Sequence, residues 1–155
     1  MPDPRDERGL SVQALERAAA RHWQAPGTEP LGEWLLRAAD GFTGRANSAL
    51  PLGDPGRPLP AAVTAVAEWY RRRGLRPMIV LPQRAAPDHL ENHLNERGWL
   101  PRPGPAFVMV VDIAELPASP TDIEFTPEPD DAFLGLYRYR GQDLPLCFPA
   151  RLRAP

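Results

Sequence analysis

The segment Gly53-Asp54-Pro55-Gly56-Arg57 is the part of this sequence best equipped for chemistry. It closes a longer stretch, residues 41–56, that carries four glycines together with Arg45, Asn47 and Ser48. An amphipathic helix is predicted directly after it. The first backbone N–H groups of a helix lack partners within the helix, and the aligned peptide dipoles favour negative charge there. A glycine turn feeding such a helix can therefore hold a phosphate or a carboxylate on backbone N–H groups. Gly53 and Gly56 permit close approach of the backbone, and Arg45 and Arg57 add flanking positive charge. Pro55, Pro58 and Pro60 oppose this reading, since each removes a donor. A tight connection into a helix is the structural alternative, and local chemistry leaves the two level.

Other reactive residue types carry weaker signals. His89 and His93 stand four apart on one predicted helix face, the spacing of a metal pair. Leu90 stands where the zinc-protease pattern needs Glu, and no third ligand lies nearby. A solvated helix face outweighs a metal site. Arg71-Arg72-Arg73 ends a predicted helix, where cations complement the dipole. Trp69 and Tyr70 fall at core spacing. Cys147 has no base beside it that would make it a nucleophile. No nucleophile elbow, Walker loop or dinucleotide fingerprint is present.

The composition sets outer bounds. The sequence has 155 residues, a net charge of −2 and 43% hydrophobic residues, which suits one domain with a core. Near-balanced charge gives no electrostatic reason to expect nucleic acid or a membrane as partner. All 18 basic residues are Arg and there are 21 Pro, which points to a GC-rich genome. A lone Cys excludes an internal disulfide and suits a reducing compartment. With no apolar run of about 18 residues and no signal-like N-terminus, the reading is a cytoplasmic protein.

Elements that would position the turn follow from periodicity. Ser11 can cap a helix to about Trp23, with Val12, Leu15, Ala19 and Trp23 on one face. Glu33–Ala39 reads as a strand, Asp40-Gly41 as a hairpin turn, and Arg45–Leu52 as a second strand. A helix over about 60–73 presents Val63, Val66, Ala67 and Tyr70 and stops at Gly74. Met78–Leu81 reads as a buried strand, Pro87 to Gly98 as a helix, and Ala106–Ile113 as the clearest strand of all. Ile123–Thr126 and 129–139 suggest one more strand and helix. Two β–α crossovers make α/β, or α+β with a partly parallel mixed sheet flanked by helices, the expected class.

This order resembles the GNAT (Gcn5-related) N-acetyltransferases over about residues 12–113. Glycine turn, helix ending Arg-Arg-Arg-Gly, short apolar strand, helix ending Glu-Arg-Gly-Trp and strong apolar strand carry the likeness. Gly41–Gly56 with Glu68-Trp69-Tyr70 is similar to the N-terminal half of actinobacterial two-part GNAT proteins. Residues 131–141 look like the start of a second half. The resemblance implies a flexible arm at 1–11, a GNAT-like domain at 12–116, and a linker with a partial second half at 117–155.

The resemblance also implies acetyl transfer from acetyl-CoA to an amine on a small molecule or a protein. Coenzyme pyrophosphate would lie on backbone groups of Gly53, Gly56 and Arg57. Arg45 and Asn47 would serve substrate or interface contacts, and the partner would be a second GNAT half or a second copy. The family's coenzyme motif has two glycines that fall here on about Arg57 and Leu59. Its Tyr acid falls on Leu94, so no catalytic residue is assigned. A non-catalytic interaction domain that keeps the fold is the alternative, and an unrelated anion-binding α/β protein is a third.

Overall fold

The computed structural model describes residues 10–41, 43–118 and 126–136. The chain divides into two compact units, Met1–Leu100 and Pro101–Pro155.

The first unit is built on a hairpin. Strand β1 (Gly27–Leu31) pairs antiparallel with β2 (Trp34–Ala38), with Leu31 opposite Trp34, so that Gly32 and Glu33 form a two-residue turn. Gly32 is left-handed, and an added Cβ would overlap the backbone of Asp54 and Pro55, so no larger residue fits. Two bridges widen the sheet. Leu35 and Leu50 exchange backbone hydrogen bonds of 3.0 and 2.8 Å. Ala49 then donates to Met78 (2.9 Å) and accepts from Val80 (3.0 Å), a parallel contact centred on Ile79.

The two faces of this sheet bury different helices, as strand alternation requires. Trp34, Leu36, Ala38 and Ala49 pack against α2 (Leu59–Arg71) and α3 (Leu90–Glu96). Leu35, Leu50, Leu52 and Val80 face α1 (Val12–His22) through Val12 and Ala20. The fold is thus mixed α and β with a small sheet between helices. Ser11 caps α1 by accepting from the Ala14 N–H at 3.0 Å. The predicted stripe of α2, Val63, Val66, Ala67 and Tyr70, is buried, joined by Ala62 and Trp69. Left-handed Gly74 ends that helix, with its N–H on the Arg71 carbonyl and the Leu75 N–H on Tyr70. Trp69 Nε1 donates to Glu29 at 2.5 Å, and the Arg73 guanidinium stacks 3.7 Å from the Trp69 ring centre, which ties α2 to β1.

Several expected elements differ. Strand β1 leaves no strand pattern in the sequence, because Pro30 and Glu29 suppress it; an edge strand tolerates both. Residues Arg45–Asn47, expected to begin a strand, form a 3-10 turn, and only Ala49 and Leu50 reach bridge geometry. Gly44 and the bonds of Asn47 bend the chain away from β2 there. Ala106–Ile113 is not a strand. Phe107, Met109 and Ile113 are 85%, 90% and 84% exposed, and a 3-10 turn (Ile113–Glu115) begins at its end. A strand needs a neighbouring edge for its backbone groups, and no ladder runs alongside it among the described residues. Of the helix expected at 129–139, the described residues form α4 (Asp131–Leu136), capped by Asp130. The arm at 1–9, most of Ile123–Thr126 and Cys147 lie outside the described residues. No described helix is long and apolar enough to cross a membrane.

Because the 45–47 turn interrupts the sheet, the edge of β2 opposite β1 has no strand neighbour beyond Leu35 among the described residues. The Tyr70 hydroxyl fills the gap: it donates to the Arg37 carbonyl (2.8 Å) and accepts from the Arg37 N–H (3.3 Å). Burial raises the Tyr70 pKa to about 12, against the opposing pull of the Arg37 backbone bond and of the Arg37 and Arg73 charges. In the unfolded chain a Tyr ionises near 10. Unfolding therefore releases a proton above pH 10, and the stability present below pH 10 is lost as pH rises toward 12. Tyr70→Phe should lose about 1–3 kcal/mol at neutral pH and should flatten this alkaline decline, both measured by urea denaturation at a series of pH values.

Candidate functional site

The turn at 53–58 is placed by the hairpin. Trp34, fully buried, donates from Nε1 to the Gly53 carbonyl at 3.2 Å. Glu33 and Asp54 pair through two bonds: the Glu33 N–H to the Asp54 carbonyl at 2.7 Å, and the Asp54 N–H to Glu33 Oε2 at 2.6 Å. The Asp54 carboxylate in turn accepts from the Gly56 N–H at 2.7 Å. Two N–H groups of the predicted anion cradle are thus held by the protein's own carboxylates. The N–H groups of Gly53, Arg57 and Leu59 have no partner among the described residues. Pro58 starts α2 with no side-chain cap, and the Arg57 side chain is exposed.

The predicted site residues therefore separate. Gly53, Gly56 and Arg57 lie together at the start of α2. Gly53 and Gly56 are both left-handed, but for different local reasons. A Cβ on Gly53 would overlap the Glu33 carboxylate, whereas one on Gly56 would meet nothing closer than 3.7 Å. Arg45 and Asn47 lie in the 3-10 turn instead. Asn47 is 4% exposed, and its Oδ1 accepts from the Ala39 and Gly41 N–H groups at 2.8 and 2.9 Å. Its Nδ2 donates to the Thr43 carbonyl at 2.8 Å. Arg45 is half-buried and its carbonyl accepts from the Ser48 hydroxyl at 3.2 Å.

Two residues that sequence reasoning passed over matter most here. By pattern Glu33 begins a strand; the signal for its role is Gly32-Glu33 as a two-residue hairpin turn. Arg37 is 2% exposed and donates from Nε to the Ser48 carbonyl at 3.0 Å and from Nη2 to the Ser48 hydroxyl at 3.1 Å. Burial pulls its guanidinium below the ordinary value, while the nearby Tyr70 and Glu16 pull it back up. Leu94, where the GNAT resemblance would place a Tyr acid, is buried in the core beside α2. His93 is half-buried, and His89 is an exposed left-handed residue at the start of α3. Among the described residues no three His, Cys, Asp or Glu side chains gather as a metal cluster.

The class these features define is an α/β protein with a strand–glycine turn–helix site. The family follows from comparison with known proteins. The model of the family described as "Probable histone acetyltransferase Rv0428c C-terminal" matches residues 10–152, and the chain belongs to that family. It is 35% identical over 135 residues to the Mycobacterium tuberculosis H37Rv protein named "Probable histone acetyltransferase Rv0428c". That match covers 86% of this chain and 40% of the relative, so the chain spans well under two thirds of the curated protein it matches. No solved structure matches the chain. The family name agrees with the acetyltransferase resemblance at that coarse level. Its description refers to a C-terminal region, where the resemblance implied the N-terminal half of a two-part protein.

Gly56→Ala should cost about 1–2 kcal/mol, the penalty of a left-handed L-residue alone. Gly53→Ala should cost more, because it also expels Glu33 from the Asp54 N–H, a bond worth about 1–3 kcal/mol when a charged group loses it. Urea unfolding of the two variants side by side measures the difference.

Proposed function

We propose that this chain is part of an acetyl-CoA-dependent N-acetyltransferase of the GNAT type, supplying a GNAT-like region of a longer protein. The observation that carries this reading is family membership across residues 10–152. A second support is the position of the glycine turn, at the N-terminus of the helix that follows the Ala49–Leu50 bridge strand. The relative's name points to a histone as its acceptor, and the acceptor class proposed for this chain is an amine on a protein. A homodimer is the alternative to a second half for completing the site. The cytoplasm is the adopted compartment.

The residues at the turn fit the coenzyme in part. Backbone N–H groups of Gly53, Arg57 and Leu59 and the Arg57 side chain would hold its pyrophosphate. Bound acetyl-CoA would supply the activated acetyl group. Gly53 and Gly56 keep the approach open; Arg45 lies on the neighbouring turn and would serve an interface. Asn47 would act through that turn, whose shape it holds.

The Glu33 and Asp54 carboxylates oppose a phosphate at the same place. Two unit charges 4 Å apart interact by about 4 kcal/mol at an effective dielectric of 20, enough to outweigh several backbone hydrogen bonds. This contact favours the second reading for the isolated chain, a recognition or scaffold domain whose catalytic partner lies elsewhere in the longer protein. The two readings share the fold and differ in coenzyme affinity.

Calorimetric titration of the chain with acetyl-CoA separates them. The expected result is binding no tighter than about millimolar for the parent, and about tenfold or more tighter for Glu33→Gln, which removes the charge. Micromolar binding by the parent would contradict the self-capped turn. Absence of binding by Glu33→Gln would reject Gly53, Gly56 and Arg57 as a coenzyme site.

A further inference from the structure

The face of the sheet turned away from α2 holds a separate feature. A cleft of about 220 Å³ lies between α1 and the sheet. Its floor is Leu35, Leu50 and Leu52, and Ala20 of α1 forms the facing wall. The exposed Arg17 and Arg21 of α1 and Glu33 of the hairpin turn complete its lining. No residue of α1 is fully buried, although the helix is amphipathic, so α1 lies over the sheet without sealing to it. The short side chain of Ala20 leaves the gap. The space exceeds the roughly 150 Å³ of an apolar cavity known to admit benzene.

The lining is electrostatically uneven. Arg17 and Arg21 are four residues apart, one above the other on the same helix face, where like charges repel. Arg21 sits in the last turn, where the helix dipole favours a cation. Arg17 lies before that turn and has no such reason to be there. Neither forms an ion pair among the described residues. The one carboxylate in the lining, Glu33, is turned to the Asp54 N–H and keeps its charge, so it offsets one of the two guanidiniums. The lining therefore combines an apolar floor with two guanidiniums against one carboxylate, a net positive charge.

We propose that this cleft binds a small amphiphilic carboxylate, with an aromatic or branched apolar body on Leu35, Leu50 and Leu52 and its carboxylate held by Arg17 and Arg21. Guanidinium forks match a carboxylate with two parallel hydrogen bonds. A cationic amine is repelled by the same pair, so this is not a site for the acceptor amine. A neutral apolar molecule gains only the floor. Arg57 and the start of α2 take no part, and although Glu33 borders both sites, the Arg17 and Arg21 variant tests this cleft without touching the coenzyme turn.

The test is calorimetric titration of the full chain with 3-phenylpropionate, and with 3-phenylpropionamide as its uncharged counterpart. Saturable binding of the acid is expected, with the amide about tenfold or more weaker. The double variant Arg17→Gln, Arg21→Gln should bind the acid no better than the amide. Ala20→Leu fills the cleft with a strong helix former on a partly exposed helix; it should keep the parent's circular dichroism spectrum and bind neither compound. Equal affinity for acid and amide would overturn the proposal, as would absence of saturable acid binding or undiminished binding by Ala20→Leu. Should Ala20→Leu alter the spectrum, the Arg pair variant alone decides: parent-like affinity for the acid would overturn the proposal, and loss to the level of the amide would support it.

Discussion

The fold depends on a gap in its sheet. β2 is paired on one side by β1 along its full length, but on the other side, among the described residues, only Leu35 meets a bridge partner, Leu50. Beyond it the neighbouring chain curls into the 45–47 turn, while Arg37, Ala38 and Ala39 remain buried. Buried backbone groups without partners cost about 1–3 kcal/mol each, a large fraction of the stability of a small domain. Side chains replace the missing strand. Tyr70 takes both backbone groups of Arg37, Asn47 takes the N–H groups of Ala39 and Gly41, and Arg37 crosses to Ser48. One patch of polar contacts thereby joins α2, β2 and the glycine-rich stretch.

The candidate site inherits its position from this arrangement. With β2 fixed, Trp34 and Glu33 at its start reach the 53–54 backbone and set the turn at the mouth of α2. The same hairpin corner that builds the site also places a carboxylate in it. A glycine turn in this setting has two uses that look alike in sequence: admitting a ligand's phosphate, or admitting the chain's own carboxylate. Gly53 serves the second, because the Glu33 carboxylate lies over its α-carbon.

Much of the helical layer was legible in the sequence, and less of the sheet. α1 and α2 announced themselves through Ser11, Pro60, Gly74 and a stripe at helical spacing, all local signals. β1 was hidden because half-exposed edge strands carry little apolar pattern, and GTEPL includes a Pro. The 45–47 turn was read as strand because a period of two cannot register where a chain leaves its neighbour. Ala106–Ile113 shows the converse: an apolar run states a preference for strand, while a partner edge decides whether one forms. At the site, Gly53, Gly56 and Arg57 were found together, but Glu33 acts across 21 positions and leaves no local trace. Asn47 drew attention as a polar residue among glycines. Its type could not reveal that its amide points into the protein rather than toward a ligand.

Amide hydrogen exchange tests the central claim, that side chains stand in for the missing strand. In the parent chain the Ala39 and Arg37 amides should exchange only through global unfolding, alongside core amides of β2 such as Leu36. In Asn47→Ala the Ala39 amide should lose protection by a larger factor than Leu36, so that it opens locally. Equal protection factors at Ala39 and Leu36 in the variant would contradict the account.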